Sequence, residues 1–233
     1  MGKTKKQKTT MKIMNKRDNL IKILKLTLLI SLLVLIVIYF LLRVRYSQGA
    51  FTVSLDPDFA KKSGIIIYEN SQTKESRRIL SAEKKDFMDN ISINWLPKNI
   101  NDEADGAHNG ENYLAYTFYV ENQGNREIDY WYTILIDDVI KDIDTAIRVM
   151  IYQNDERIVY AKQRANGEPE VGTEKFYSED CVLIKQRQNF KEGDVDKFTI
   201  VVFLEGDDYD CVDALIGGEM KMHLEILEEH KDQ

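Results

Sequence analysis

The chain is poor in the residues that usually announce catalysis or metal binding. It has two cysteines, Cys181 and Cys211, too few for a disulfide framework or a four-cysteine zinc site. Its three histidines, His108, His223 and His230, are far apart, and no HExxH pair occurs. No serine lies in a G-x-S-x-G turn, and neither cysteine has a histidine close by in sequence to draw off its proton. The glycines form no phosphate-cradling loop, and Gly217–Gly218 reads as a turn before a final strand. Paired carboxylates such as Asp137–Asp138 are ordinary on solvated turns. The expectation is a non-enzyme that needs no cofactor, with an unrecognised site as the alternative.

Long apolar runs are also missing, with one exception. "LTLLISLLVLIVIYFLL", Leu26–Leu42, is seventeen uncharged residues with no polar face at helical spacing. With Lys22, Lys25, Arg43 and Arg45 snorkelling at its ends, it reaches the ~20 residues that cross a bilayer. Charge is split around this run. Residues 1–42 hold eight lysines, Arg17 and Asp18, a net of +8, so with −7 overall the remainder sums to −15. Nine cationic residues precede the span, which places the N-terminus in the cytoplasm and the rest outside. A cleavable signal peptide is the competing reading, with Ser47 and Gly49 before Ala50, but the run exceeds the ~7–15 residues of a signal core. The lysines form a tail and not a folded face, so a nucleic-acid partner is excluded. The predicted organisation is a basic tail (1–25), a transmembrane helix (26–42), a linker (43–50) and an extracytoplasmic domain (51–233).

Beyond the linker the hydrophobic period changes to two. "FTVSL", "GIIIYE" and "ISINWL" are strand candidates, and the Asn-, Asp- and Gly-rich stretch 97–112 is a loop. "YLAYTFYVENQGNREIDYWYTILI", Tyr113–Ile136, predicts a hairpin, with Asn122 and Gly124 supplying positive φ at its turn. A second hairpin turns at "NDE" (154–156). In "EMKMHLEILEE", Met220, Met222, Leu224 and Ile226 alternate with Lys221, His223 and Glu225, a one-sided strand. Eight to ten strands with no long amphipathic helix predict a mainly β, antiparallel sandwich or jelly roll.

Three groups invite a functional reading. Among the aromatics of residues 113–132, Trp131 faces away from Tyr130 and Tyr132 and is a candidate surface platform for sugar or wall polymer, against the plainer reading of cross-strand packing. Cys181 and Cys211 lie in acidic turns, and in an oxidising compartment they are expected to pair. "LEGDDYDCVDALIGGE", 204–219, gathers Asp207, Asp208, Asp210 and Asp213 within seven residues. Their spacing is not that of an EF-hand. A weak calcium site is one reading. The other is a solvated turn in which Asp208 or Asp210 caps a short "CVDALI" helix.

The segments "GAFTVSL", "YLAYTFYVENQGNREIDYWYTILI", "FTIVVFLEGDD" and "GGEMKMHLEI" after an N-terminal span resemble the extracytoplasmic jelly-roll proteins of Gram-positive bacteria related to camelysin and the TasA matrix-fibre subunits. The resemblance implies an exported β-sandwich in cell-surface structure or matrix. The chain departs from that family in its long span with trailing arginines. It also lacks a metal motif for the proteolysis ascribed to camelysin. The expectation is a membrane-anchored surface module with a protein or cell-wall partner. A released matrix subunit and a carbohydrate-binding module are the alternatives.

Overall fold

The computed structural model describes residues 22–40, 51–83, 85 and 87–228. The chain falls into two compact units, Met1–Gln48 and Gly49–Gln233. The basic tail up to residue 21 and the linker 43–50 lie outside the described residues.

In the first unit, α1 (Lys22–Phe40) is one helix long and apolar enough to span a membrane. Every one of its residues is exposed, as expected of a helix whose solvent is lipid. Two of its hydroxyls bond back into the helix, Thr27 Oγ1 to Leu24 O at 2.9 Å and Ser31 Oγ to Leu28 O at 2.8 Å, which satisfies these two donors within the helix itself.

The second unit is a β-sandwich. Its first strands are β1 (Phe51–Leu55), β2 (Ile65–Tyr68), β3 (Ile79–Ser81) and β4 (Gly106–Ala107). The short helix α2 (Pro57–Ser63) separates the first two, capped by Asp56, whose side chain accepts from Phe59 N at 2.7 Å. Next come β5 (Tyr113–Asn122), β6 (Ile128–Ile140), β7 (Ile147–Gln153), β8 (Glu156–Ala161) and β9 (Glu174–Lys175). The last are β10 (Cys181–Phe190), β11 (Val195–Leu204) and β12 (Glu219–Leu227). One sheet has the order β10-β6-β12-β1-β3, and the other β2-β5-β11-β7-β8-β9 with β4 also on β5. Pairing is antiparallel except for β1 with β12 and β8 with β9.

The predicted one-sided alternation is present. Leu114, Tyr116, Phe118 and Val120 of β5 face Met222, Leu224 and Ile226 of β12 across a shared core. Phe198 stacks on Phe118 at 5.2 Å and meets Tyr132 edge-on at 5.1 Å, tying the sheets together. "ISINWL" is not a strand. Only Ile91 forms a bridge, to Glu205, and Ile93–Trp95 is a 3-10 turn capped by Ser92. That segment lays Ile91, Leu96 and Ile100 over Ala115, Met150, Val201 and Phe203, a second core on the outer face of the β5–β11–β7 sheet.

The expected hairpin at Tyr113–Ile136 is instead an arch, because β5 and β6 belong to different sheets. Neither Asn122 nor Gly124 has positive φ. Asn122 ends β5, and its amide donates to Arg126 O and Phe190 O at 2.9 Å each, bridging the two layers. Gly124 is needed for close approach, since a Cβ there would lie 1.9 Å from Ser63 O. The β7–β8 hairpin forms as predicted, with Asn154 at φ 57 in its turn.

Phe51 pairs with Met222, near the start of β12. The chain therefore enters the sandwich at the end where β6 and β11 finish and β7, β10 and β12 begin. The acidic stretch 204–219 is the β11–β12 connection at this entry end.

Candidate functional site

The acidic connection is built by β11 running out of its ladder and by a neighbouring segment that pins it. Ile91 N donates to Leu204 O and Gly206 N to Ile91 O, at 2.9 and 3.0 Å. Glu205 is buried, and its carboxylate accepts from Ile93 N at 3.2 Å and Asp207 N at 3.3 Å. Asp207 accepts from Ser92 Oγ at 2.7 Å. Asp208 turns inward, its side chain 2% exposed, and meets the Arg148 guanidinium of β7, itself 6% exposed. Its other oxygen accepts from Asp210 N at 2.9 Å, a local turn that holds the loop.

The expected cap is therefore absent. The only regular piece is a 3-10 turn at Asp213–Leu215 with Val212 in the cap position, and Asp213 stands apart in solvent. The carboxylates that do converge are Asp208, Asp210 and Glu170, with ligand-capable oxygens within 4.8 Å of one another. Glu170 lies 38 residues upstream of Asp208 and gives no sequence signal of the meeting. Two of the three already have cationic partners. Asp208 has Arg148, and Glu170 accepts from Nε and Nη2 of Arg164 at 3.0 Å each. Arginines thus pair with two of the three converging carboxylates, Arg164 reaching Glu170 with two nitrogens of its guanidinium.

The expected Cys181–Cys211 bridge does not form, because the two are not within disulfide distance and both thiols are free. Cys181 opens edge strand β10, where its Sγ contacts Leu183 O at 3.4 Å. Cys211 sits in the β11–β12 connection beside Asp208 and Asn90. Burial pushes the Cys181 thiol up to about 11, and burial with the Asp208 charge pushes Cys211 up as well. Protonated thiols of this kind are poor nucleophiles. Reducing agent is expected to leave the melting temperature unchanged, and alkylation after denaturation to label both cysteines. A bridge surviving in non-reducing mass spectrometry would reverse this assignment.

Trp131 is half-buried on the outer face of β6, in register with Gln186 on one side and Leu227 on the other. Tyr130 and Tyr132 point into the core, as their alternation predicted.

Sequence reasoning missed several polar groupings. Tyr68, Tyr116 and Tyr119 each donate to a carboxylate, of Glu121, Glu69 and Asp105 respectively. Burial and the partnered Asp105 push Tyr119 up to about 12, so the phenol donates and does not act as a base. Asp196 of β11, 2% exposed, receives Tyr130 Oη at 2.6 Å, Arg187 Nε at 3.0 Å and Asn154 Nδ2 at 3.1 Å. A shallow cleft at the open edge between β8 and β10 is bordered by Tyr132, Glu156, Tyr160 and Lys185. Its cavity volume of about 20 Å³ is far below the ~300–1,000 Å³ of ligand pockets.

His223 on β12 lies 2.8 Å from Asp137 and 3.2 Å from Glu225. The bond to Glu225 raises its pKa above the ordinary value, opposed by burial and reinforced by Asp137. A raised folded-state pKa contributes stability that is complete below the unfolded value near ~6.5 and is lost as pH rises through the folded value. Glu225 is lowered by the same contact, so its share is present above its unfolded value and lost in acid. The melting temperature is expected to fall between pH 6 and pH 8, and His223→Gln to flatten that fall. An unchanged slope in the variant would remove His223 from the account.

No family model matches the chain, and no curated protein matches it. Among solved structures, a β-glucosidase from Kluyveromyces marxianus in complex with glucose aligns at 14% identity and TM-score 0.25. The alignment covers 72% of this chain and 16% of that one. A selenomethionine-labelled form of the same enzyme aligns at 15% identity and TM-score 0.29, covering 72% of this chain and 17% of the enzyme. The chain thus spans only a small part of these enzymes' length, and similarity at this level carries no argument about fold or chemistry.

Proposed function

We propose that this protein is a single-pass membrane protein, N-terminus in the cytoplasm, that presents a non-catalytic β-sandwich outside the cell as a structural or binding module of a bacterial envelope. The observation that carries the reading is α1, a helix long and apolar enough to span a membrane and exposed at every residue, set ahead of a separate sandwich unit. The charge step across the span supports the orientation. The acidic loop supports a structural role, because its most buried carboxylate is committed to Arg148 and Glu170 is committed to Arg164.

Protease added to intact cells is expected to remove the sandwich and leave an N-terminal tag intact. Digestion of the tag instead would reverse the orientation. Loss of about 5 kDa from the mature protein, the size of a cleaved leader, would favour a released matrix subunit over an anchored one.

A further inference from the structure

We infer that the entry end of the sandwich is a docking surface for a partner protein that offers cationic side chains around an apolar patch. The starting observation is where the exposed apolar side chains stand. Among the described residues of the sandwich, nearly every large apolar side chain more than half exposed lies at or beside this end, with Ile79 on edge strand β3 the exception. Tyr209, Val212 and Ile216 project from the β11–β12 connection, fully, 53% and 67% exposed. Val171 is 85% exposed and adjoins Glu170, whose carboxylate meets those of Asp208 and Asp210 on either side of Tyr209. Trp95, 76% exposed, follows Ser92, which is bonded to Asp207. Single exposed apolar residues are ordinary on a protein surface, but their gathering at one end, with the opposite end nearly free of them, marks an interaction surface. Tyrosine and tryptophan are also the side chains most enriched where partners bind.

Charge chooses the occupant. Residues 205–218 carry five carboxylates and no cationic side chain of their own. Asp208 among them has an arginine partner, and Lys141 reaches in only to donate to Ile216 O, leaving the acidic side chains in excess. A second copy docked through this end would set carboxylates against carboxylates, since a two-fold contact brings the same patch from both sides. An anionic lipid surface would be repelled for the same reason. A cationic protein face satisfies both features, with lysines or arginines meeting Asp207, Asp210 and Asp213 while its apolar centre covers Tyr209, Val212 and Ile216. The inference deepens the anchored reading and rests on it for one point, that the partner is met on the outer side of the membrane.

The test uses the full chain in its own membrane, with Tyr209 replaced by photoreactive p-benzoylphenylalanine and, as a control at the opposite end, Val195 replaced likewise. Irradiation is expected to give a discrete protein adduct from the Tyr209 position only, and the crosslinked partner peptide, read by mass spectrometry, is expected to carry net positive charge. Val212→Ser with Ile216→Ser, and separately Asp207→Asn with Asp210→Asn, are expected to cut the adduct about tenfold. All four positions are exposed, an asparagine at 207 keeps an acceptor for Ser92 Oγ, and circular dichroism on each variant checks that the sandwich is intact. Adducts to lipid, to another copy, to an acidic peptide, equally from Val195, or none at all would overturn the inference. Fractionation of the same cells reports the anchor independently, so protein found only in the soluble fraction would sink the anchored reading without deciding the crosslink.

Discussion

Asp196→Ala is expected to cost the sandwich about 3–5 kcal/mol of unfolding free energy, the range for removing one partner from a buried ionic network. The carboxylate, carried on β11, is 2% exposed and binds groups from three other places, Tyr130 on β6, Arg187 on β10 and Asn154 in the β7–β8 turn. Because β6 and β10 belong to one sheet and β7 and β11 to the other, the carboxylate fastens the layers to each other. Its loss leaves the Tyr130 hydroxyl without its acceptor and the Arg187 charge, only 30% exposed, without its buried partner. Against a typical total of about 5–15 kcal/mol, that is a large share. The measurement is the guanidinium midpoint at unchanged slope. Tyr130→Phe is expected to lose only ~1–2 kcal/mol, and the double variant less than the sum, because the two share one network. A loss below ~1 kcal/mol for Asp196→Ala would mean that solvent replaces the network and that packing alone joins the sheets.

Asp196 also illustrates how far the sequence could be read. In "DVDKFTIVVFL" the residues Asp196, Phe198, Ile200 and Val202 share one face, so period-two alternation already turned a carboxylate toward the core. The strand was legible, and so was the anomaly. Its partners were not, because Tyr130 lies 66 positions away and Arg187 on a strand of the other sheet. Alternation states which side of a strand is buried but not which strand lies beside it. For the same reason the β5–β6 segment reads as a hairpin and folds as an arch. Its turn residues suit either geometry, and the deciding contact is the approach of Gly124 to Ser63, from a segment some sixty residues earlier.

The cysteines fail to pair for a related reason. Both lie at the entry end beside strands, which made a bridge reasonable on linear grounds. Yet Cys181 belongs to the edge strand of the β10–β6–β12 sheet, and Cys211 follows the last residues of β11 in the other sheet. A shared end of a sandwich still leaves a layer's thickness between two residues, about 10 Å, against the ~4.4–6.8 Å between Cα atoms that a disulfide allows.

Arg148→Met is expected to be the second costly substitution, at about 3–5 kcal/mol, and it bears directly on the acidic connection. Arg148 sits on β7 with its side chain 6% exposed, facing an Asp208 side chain that is 2% exposed. Removing the guanidinium leaves Asp208 buried beside Glu170 and Asp210 with no arginine of its own. The connection must then expose the carboxylate, and Glu205 and Asp207, bonded to the Ile91–Ile93 segment, move with it. Arg148→Met combined with Asp208→Leu is expected to recover most of the loss, because a buried pair replaced on both sides by apolar groups leaves no orphaned charge. Calcium serves as the discriminating reagent. At millimolar concentration it is expected to leave the native protein's melting temperature unchanged, since arginines already neutralise two of the three converging carboxylates. In Arg148→Met alone it is expected to restore part of the lost stability, by binding the folded state in the arginine's place. A calcium-dependent rise of several degrees in the native protein would mean that the carboxylates hold metal in spite of their arginines. Equal melting temperatures for Arg148→Met and the native protein would show that the pair contributes nothing to the fold.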